Sequence, residues 1–330
     1  MKALLCKGFT GPADLEMGEA PKPAPEPDEI LFDVHAASVT FMDNLIVSGL
    51  YQMKPPLPFV PGTDAAGVVS AVGDQVRHFK PGDRVAAFNW TGAFAEQMVA
   101  KEHRAASLPD DIDFEVGSTV LHNYITGLYA LRNKAKLLSS ETLVVHGAAG
   151  GVGLAAVDIG RHMGARVIAT VGNEDKATLA KSYGAVAAIN HHEENIRDRV
   201  KELTDGKGAD VIFDTVGGDI FDQSIRCINW DGRILVIGFT SGRIPELPLN
   251  LPLLKNCSIV GVFTGAWADK FPEEGRSMNA EIMDLIVKGK LRPYVSDVLP
   301  LSRAGDAFSM IATRQVRGRT VLRVRETPTG

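Results

Sequence analysis

One stretch of the chain, residues 143–156, constrains its fold more than any other. Its sequence, LVVHGAAGGVGLAA, is an apolar run rich in β-branched residues, then a cluster of glycine and alanine, then an amphipathic run. This order predicts a strand, a glycine turn and a helix, the context in which a glycine fingerprint indicates dinucleotide binding. Glycine lets the backbone approach a pyrophosphate, whose charge the N-terminus of the new helix attracts. A structural turn without a ligand is the alternative.

The fingerprint departs from the strict G-x-G-x-x-G pattern at one position. Ala148 stands at the first glycine position, Gly150 at the second and Gly153 at the third. A glycine triplet alone is weak evidence, so the prediction of nucleotide binding depends on the flanking strand and helix.

Composition and charge bound the class of protein. The length of 330 residues is enough for two domains, and 45% hydrophobic with 23% charged residues is typical of a globular chain. The net charge of −5 argues against nucleic acid as a partner. No apolar run is long enough to span a membrane, and the one at the start is too short for a signal peptide. Three scattered cysteines are typical of a reducing cytosol, so we expect a cytoplasmic location.

Residues 1 to about 120 contain short apolar runs separated by turn signals. Residues 29–39 alternate as expected for a strand, and residues 40–51 predict a short helix that ends at Gly49. Several short strands at regular spacing predict an irregular β-barrel.

From about residue 120 to residue 264 the pattern changes to alternating strands and helices. The predicted strands cover residues 143–146, 166–171, 186–189, 210–216, 233–239 and 257–263. This alternation predicts an α/β fold with a parallel, doubly wound sheet, whose ligand lies beyond the C-terminal strand ends. In the last part, we expect helices at 280–290 and 303–311 and a strand at 321–324.

The end of the second predicted strand bears on the choice of nucleotide. An NAD site usually has an acid there, which binds the ribose 2′-hydroxyl. Here the strand ends in Gly172 and Asn173, and Lys176 follows. A cation with no acid suits a 2′-phosphate, so the sequence favours NADP(H). Glu174 and Asp175 are interpreted as acids at a helix N-terminus, and an exposed helix lysine is the alternative for Lys176.

Four segments together resemble a known family. They are PGTDAAGVV at 61–69, HGAAGGVG at 146–153, GRILVIGF at 232–239 and LNLPLLKN at 249–256. In this order they resemble the zinc-independent quinone oxidoreductases, the zeta-crystallin branch of the medium-chain dehydrogenase/reductase superfamily. The resemblance implies a six-stranded Rossmann NADP-binding domain at 122–264, a GroES-like β-barrel substrate domain at 1–121 and 265–330, and a homodimer.

The sequence does not support a zinc site. Gly62-Thr63-Asp64 stands where zinc enzymes of the superfamily have Gly-His-Glu, and no cysteine lies between Cys6 and Cys227. Threonine is not a zinc ligand. The pair His191-His192 lacks further ligands nearby in sequence and is interpreted as a polar loop.

The resemblance implies hydride transfer from NADPH to a quinone or an α,β-unsaturated carbonyl, without a metal. It places Tyr51 in the substrate cleft, as a hydrogen-bond donor or a ring platform, with a packing aromatic as the alternative. Thr40 stands where many relatives have asparagine, and Asp43 matches an acid common three residues further on. A helix-surface aspartate is the alternative for Asp43.

The resemblance also implies a set of cofactor contacts. For His191, which replaces a tyrosine of relatives, it implies a bond to the 2′-phosphate that depends on pH. For Arg319 it implies a contact with the pyrophosphate, with a surface charge as the alternative. The full set is Thr126, Ala149, Gly150, Gly151, Val152, Gly172, Asn173, Lys176, His191, Gly238, Phe239, Val262, Phe263 and Arg319.

Two other functions are compatible with these residues. One is reduction of an enoyl-CoA or acryloyl-CoA on the same scaffold, which needs extra cations such as Lys54 or Arg77 near the substrate. The other is a non-enzymatic protein that keeps a nucleotide, as a crystallin or an RNA-binding protein. The net charge and the lack of a basic run weigh against RNA.

Overall fold

The computed structural model describes residues 1–325 as two compact units. One unit comprises Met1–His122 together with the segment that starts at Trp267, and the other comprises Asn123–Ala266. The limits predicted from the sequence fall after residues 121 and 264.

The first unit begins with short strands, two short helices and 3₁₀ turns at Pro12–Asp14 and Glu102–Arg104. In chain order the strands and helices are β1 (Lys2–Leu5), β2 (Glu16–Glu19), β3 (Glu29–Val39), α1 (Phe41–Val47), β4 (Asp64–Val72), β5 (Arg84–Phe88), β6 (Gln97–Lys101), β7 (Ala105–Ser107) and α2 (Phe114–Gly117).

The second unit alternates strands and helices as the sequence predicts. It follows α3 (Val120–Leu128), whose last turn continues as a π-helix at Tyr129–Lys134. Its elements are β8 (Thr142–His146), α4 (Gly151–His162), β9 (Arg166–Val171), α5 (Glu174–Ser182), β10 (Ala187–Asn190), α6 (Ile196–Leu203), β11 (Ala209–Asp214), α7 (Gly218–Cys227), β12 (Ile228–Val236), α8 (Asn250–Lys255) and β13 (Ser258–Gly261).

These six strands form one parallel sheet in the order β10-β9-β8-β11-β12-β13. The chain moves outward from β8 in one direction to β10 and then returns to place β11 on the other side. The crevice at such a change of direction is where doubly wound sheets bind ligands. The predicted α/β class with a six-stranded parallel sheet is confirmed, and β8 with its glycine turn borders this crevice.

The remaining elements complete the first unit. They are α9 (Thr264–Lys270), α10 (Pro272–Val287), β14 (Val295–Pro300), a 3₁₀ turn (Leu301–Arg303), α11 (Ala304–Ala312) and β15 (Arg319–Arg323). β15 pairs antiparallel with β3, with Thr320 opposite Val39. The C-terminal segment is therefore part of the same sheet as the N-terminal strands.

β3 organises the seven-stranded sheet of the first unit. It pairs with β4 along most of its length, with β6 at residues 29–33 and with β15 at residues 36–39. Its alternating side chains Ile30, Phe32 and Val34 are fully buried, as the period of two predicts. They pack in the hydrophobic core with Phe94 and Phe308, among others.

Two predicted elements start five or more residues away from their limits in the structure. β12 covers residues 228–236 rather than 233–239, because its pairing with β11 jumps from Ile228 opposite Ala209 to Arg233 opposite Val211. This bulge accommodates the Asp231-Gly232 turn signal inside the strand. α10 begins at Pro272, eight residues before the predicted start at 280, because proline suits the first turn of a helix. No helix within residues 1–325 is long and apolar enough to cross a membrane.

Candidate functional site

In the glycine turn after β8, glycine is present for a different reason at positions 147, 150 and 153. Gly147 has φ 63°, a conformation that favours glycine. A Cβ on Gly153 would lie 2.1 Å from the carbonyl oxygen of Gly147, so only glycine lets α4 start this close to the turn. A Cβ on Gly150 would meet nothing nearer than 3.4 Å. The second glycine is therefore not required by packing, and its bare backbone is free for a ligand at the start of a twelve-residue helix.

The other predicted residues of this turn differ in exposure. The side chain of Ala149 is buried, whereas Gly150, Gly151 and Val152 are partly exposed at the start of α4. Exposed backbone N–H groups at a helix N-terminus can bind an anion, so the arrangement fits a pyrophosphate.

A buried histidine that is not among the predicted site residues anchors this turn. The ring nitrogens of His146 lie 2.9 Å from the Thr170 hydroxyl and 2.7 Å from the Ser224 hydroxyl. Because the Ser224 hydroxyl donates to the carbonyl of Ile220, it accepts from Nε2 of His146, and Nδ1 accepts from Thr170. Burial lowers the pKa of His146, which agrees with this neutral ring. A histidine at the end of an otherwise apolar strand is the signal that could have revealed it.

The end of β11 supplies a second ordered turn. The Asp214 carboxylate accepts from the backbone N–H groups of Val216 and Gly217 at 2.8 and 2.9 Å. A Cβ on Gly217 would lie 2.8 Å from the ring of Phe239, so this ring packs directly on the turn. The predicted residues Gly238 and Phe239 thus lie beside the end of β11, just past the end of β12.

The end of β9 brings together four predicted cofactor residues. The Asn173 side chain caps α5 by accepting from the backbone N–H of Lys176 at 2.9 Å. A Cβ on Gly172 would lie 3.5 Å from the His191 ring and 3.4 Å from Nε2 of His192. Two imidazoles therefore flank a bare glycine at the position where an NAD enzyme usually has its acid. Imidazole and lysine side chains can donate hydrogen bonds to phosphate oxygens, so a phosphate fits this group of residues.

The other predicted residues of the second unit lie on neighbouring elements. Thr126 is partly exposed on α3. The helix α3 packs closely on α4 and leaves no space for a side chain at position 127, since a Cβ on Gly127 would lie 2.7 Å from the Ile159 side chain. Val262 and Phe263 follow β13, and Phe263 is 58% exposed.

In the first unit, Thr40 and Asp43 form the cap of α1. The backbone N–H and the hydroxyl of Thr40 both donate to the Asp43 carboxylate at 2.7 Å, and the N–H of Asp43 donates to the Thr40 hydroxyl at 3.0 Å. Both residues are buried, so the helix-surface alternative for Asp43 does not apply. The hydroxyl hydrogen of Thr40 is engaged with Asp43.

A second buried acid lies close to this cap. Asp64, at the start of β4, accepts from the Thr63 hydroxyl at 2.8 Å and from the backbone N–H of His122 at 3.2 Å. Arg319, at the start of β15, is buried in the same unit and is near enough for its charge to act on both carboxyls. In the sequence, Asp64 is noted only as a residue in place of a zinc ligand. A charged residue inside the apolar run 60–69 is the signal that could have revealed it.

Burial dominates the electrostatics of this acidic cluster, which we define as Asp43, Asp64 and Arg319. It raises the pKa of Asp64 to about 7 and that of Asp43 to about 6, although Arg319 and the neighbouring hydroxyls act in the opposite direction. Burial also lowers the pKa of Arg319, and burial together with Arg319 lowers the pKa of His122 to about 3. The cluster therefore exchanges a proton near neutral pH, and His122 stays neutral.

Tyr51 belongs to an aromatic group in the first unit. Its ring centroid lies 6.2 Å from that of Trp90, and both side chains are partly exposed. Within residues 1–325 the Tyr51 hydroxyl has no hydrogen-bond partner. Burial of the ring raises the pKa of Tyr51, so the hydroxyl keeps its proton and can donate it in a hydrogen bond.

The predicted site residues thus fall into two groups. All the predicted cofactor residues except Arg319 lie in or at the edge of the second unit, at the ends of its strands and on α3. Tyr51, Thr40, Asp43 and Arg319 lie in the first unit, where the charges of Asp43 and Asp64 act on Arg319.

The residues at the zinc position do not fit a zinc ion. Thr63 and Asp64 hydrogen-bond to each other, and threonine is not a ligand that zinc prefers. Within residues 1–325, no three side chains of His, Cys, Asp or Glu are grouped so that they could hold a metal.

Two family models match the chain. Residues 26–110 match the alcohol dehydrogenase GroES-like domain, and residues 151–280 match the zinc-binding dehydrogenase family.

Full-length relatives and solved structures extend the similarity. The chain is 39% identical to quinone oxidoreductase-like protein 2 homolog of Nematostella vectensis, over 89% of this chain and 81% of that protein. It is 37% identical to a quinone oxidoreductase of Pseudomonas aeruginosa, over 97% and 99%. The structure of Escherichia coli quinone oxidoreductase complexed with NADPH has a TM-score of 0.92 at 32% identity and covers 98% of this chain and all of that one.

Proposed function

This chain belongs to the zinc-independent quinone oxidoreductase branch of the medium-chain dehydrogenase/reductase superfamily, and from that premise we propose that it reduces quinones with NADPH. The observation that carries the proposal is the end of β9. There the bare backbone of Gly172 lies beside two imidazoles, and the nearest acids in sequence, Glu174 and Asp175, come only in the first turn of α5. A solved structure of similar fold is an NADPH complex, which supports the same cofactor.

The two groups of residues have separate tasks in this proposal. Gly150, Gly151 and Val152 bind the pyrophosphate, and Lys176 with His191 binds the 2′-phosphate. Bound NADPH supplies the hydride. Tyr51 donates a hydrogen bond to the acceptor oxygen, on which negative charge develops, and Thr40 and Asp43 fix the loop before α1.

A quinone is already electrophilic, so its reduction needs no Lewis acid. An α,β-unsaturated carbonyl has the same electrophilic character and is the second substrate class that we propose. The chain matches quinone oxidoreductases over nearly their full length. These matches favour neither an acyl-CoA reductase nor a non-enzymatic protein.

NADPH oxidation with a panel of quinones, enones and acyl-CoAs tests the function. We expect turnover with quinones, weaker turnover with enones and none with acyl-CoAs. NADPH binding without turnover of any quinone would contradict the proposal.

We also propose a homodimer formed through the edge of the parallel sheet. β13 is the last strand of that sheet and pairs only with β12 among the described strands. Beside it in sequence, Leu253 and Leu254 of α8 are 77% and 68% exposed. Exposed apolar groups next to an open strand edge are typical of an interface. Light scattering should give twice the chain mass, and Leu253→Glu should give the monomer mass.

A reducing compartment, the cytosol, is the location that we propose. Its support is that Cys6, Cys227 and Cys257 are all free thiols. Imaging of the tagged protein in its native cells tests this location.

A further inference from the structure

Trp90 has no task in the proposed function, yet it lies in an ordered group of rings in the first unit. Its centroid is 6.2 Å from that of Tyr51, with an angle of 39° between the ring planes. Phe88 meets it edge-on at 5.2 Å and 75°. All three side chains are partly exposed. We call Tyr51, Phe88 and Trp90 the aromatic wall.

A fixed cation holds the indole in place. The guanidinium of Arg104 lies over the Trp90 ring, 5.7 Å from its centroid. This guanidinium donates two hydrogen bonds to Asp269, at 2.8 and 2.7 Å, and one to Asn89 at 2.8 Å. A guanidinium bound in this way has little freedom to rotate, so the cation–π contact orients the ring.

The wall is continuous with the acidic cluster. Phe88 of β5 is directly opposite Asp64 of β4 in the sheet register. The Phe88 ring also stacks on His122 at 6.0 Å, and the backbone N–H of His122 donates to Asp64. Trp90 is therefore two residues from the strand position that faces the buried acid.

Two hydrogen-bond donors on the wall are unused. Neither the hydroxyl of Tyr51 nor the indole N–H of Trp90 has a hydrogen-bond partner within residues 1–325. Tyrosine and tryptophan combine an apolar ring with one polar tip, which suits a flat ligand that has oxygen at its edge.

We infer that the acceptor ring lies on the aromatic wall and that Trp90 selects fused two-ring quinones over single-ring quinones. This inference rests on the proposed function. The second fused ring covers the indole, whereas a single ring next to Tyr51 leaves most of it uncovered. The Tyr51 hydroxyl donates to one quinone oxygen, whereas the indole N–H of Trp90 lies in the plane of its ring and points away from a ligand stacked on that ring.

Steady-state kinetics with 2-methyl-1,4-naphthoquinone and 1,4-benzoquinone test this selection. We expect Trp90→Leu to lower the kcat/KM ratio of the two-ring to the one-ring quinone by about tenfold, mainly through KM, because one aromatic contact and its buried area are lost. Trp90→Phe keeps a ring with a smaller face, so its ratio should lie between those of the wild type and Trp90→Leu. Trp230→Leu is the matched control, because this tryptophan of the second unit is 67% exposed and should leave the ratio unchanged.

Fluorescence provides a readout that does not depend on turnover. Without nucleotide, the naphthoquinone should quench the tryptophan emission of the wild type in a saturable way, and Trp90→Phe should abolish that saturable part. An unchanged ratio in Trp90→Leu, or saturable quenching retained in Trp90→Phe, would overturn the inference. Absence of NADPH-dependent turnover with every quinone would instead overturn the proposed function, and the quenching would still test the wall.

Discussion

Thr40 and Asp43 cap helix α1 reciprocally, each accepting a hydrogen bond from the other's backbone N–H. The same carboxylate is one of two buried acids that face a single buried arginine. One guanidinium can balance the charge of only one carboxylate. Ionisation of the second acid therefore places an uncompensated negative charge in the protein interior, which costs free energy. This imbalance makes the acidic cluster sensitive to pH.

The first expected outcome concerns stability and pH. Because the pKa of Asp64 is raised, the folded state keeps the proton of this carboxyl up to about pH 7. In the unfolded chain the same carboxyl loses its proton near its ordinary pKa of 3.8. The folded state binds more protons in this range, so Asp64 makes the free energy of unfolding fall as pH rises, by up to about 4 kcal/mol. Asp64→Asn lacks this titrating carboxyl. From pH 4 to pH 7 its free energy of unfolding should therefore increase relative to that of the wild type.

Denaturant unfolding at several pH values measures this difference. Asp74→Asn is the control, because Asp74 is exposed in a turn of the first unit and its substitution removes a carboxylate outside the acidic cluster. A difference for Asp64→Asn that varies with pH no more than that of Asp74→Asn would contradict the assignment of the proton to this cluster.

The second outcome separates the two roles of glycine in the fingerprint. Gly153→Ala should lower the free energy of unfolding by about 1–3 kcal/mol, because its Cβ would meet the Gly147 carbonyl. Gly150→Ala should cost less than about 1 kcal/mol, since its Cβ has space, but should weaken NADPH binding by about tenfold. Thermal unfolding and NADPH titration of both variants measure the two effects. Equal NADPH affinity of Gly150→Ala and wild type would exclude close approach of the phosphate.

The third outcome concerns the choice of nucleotide. Lys176→Ala should raise the KM for NADPH by about tenfold and leave that for NADH unchanged, because only NADPH has the 2′-phosphate. Lys181→Ala, on the same helix, is the control and should change neither value. Equal effects on the two nucleotides would place Lys176 outside the phosphate pocket.

The fourth outcome concerns Tyr51. Tyr51→Phe keeps the ring against Trp90 but removes the unused hydroxyl, so kcat for quinone should fall by about tenfold while the Kd for NADPH is unchanged. Stopped-flow measurement of NADPH oxidation gives the chemical step directly. An unchanged rate would leave Tyr51 as a packing residue only.

The sequence predicted the second unit well because its signals are local. Strands β8 and β9 lie within one residue of their predicted limits, since β-branched runs end at glycine or polar residues. The predicted start of β12 is five residues too late in the sequence, because Asp231 and Gly232 indicate a turn. In the structure Asp231 has φ 61°, and the two residues lie in a bulge of the strand. Only pairing with β11 decides this outcome.

The acidic cluster could not be predicted from local pattern. Arg319 and Asp64 are 255 residues apart in sequence, and only the pairing of β15 and β4 with opposite sides of β3 places them in one unit. The same limit applies to Trp90, because Arg104, which lies over its ring, is held by Asp269, 165 residues further along the chain.

The ring of His146 joins β8, β9 and α7, and each of its nitrogens requires one kind of partner. Nε2 needs an acceptor at position 224, and Nδ1 needs a donor at position 170. A substitution at one of these three positions leaves a buried polar atom without its partner, which is unfavourable. Simultaneous replacement of the partners leaves no polar atom unpaired and is therefore tolerated better. Among homologous sequences, positions 146, 170 and 224 should therefore covary, although two of them are separated by 78 residues along the chain.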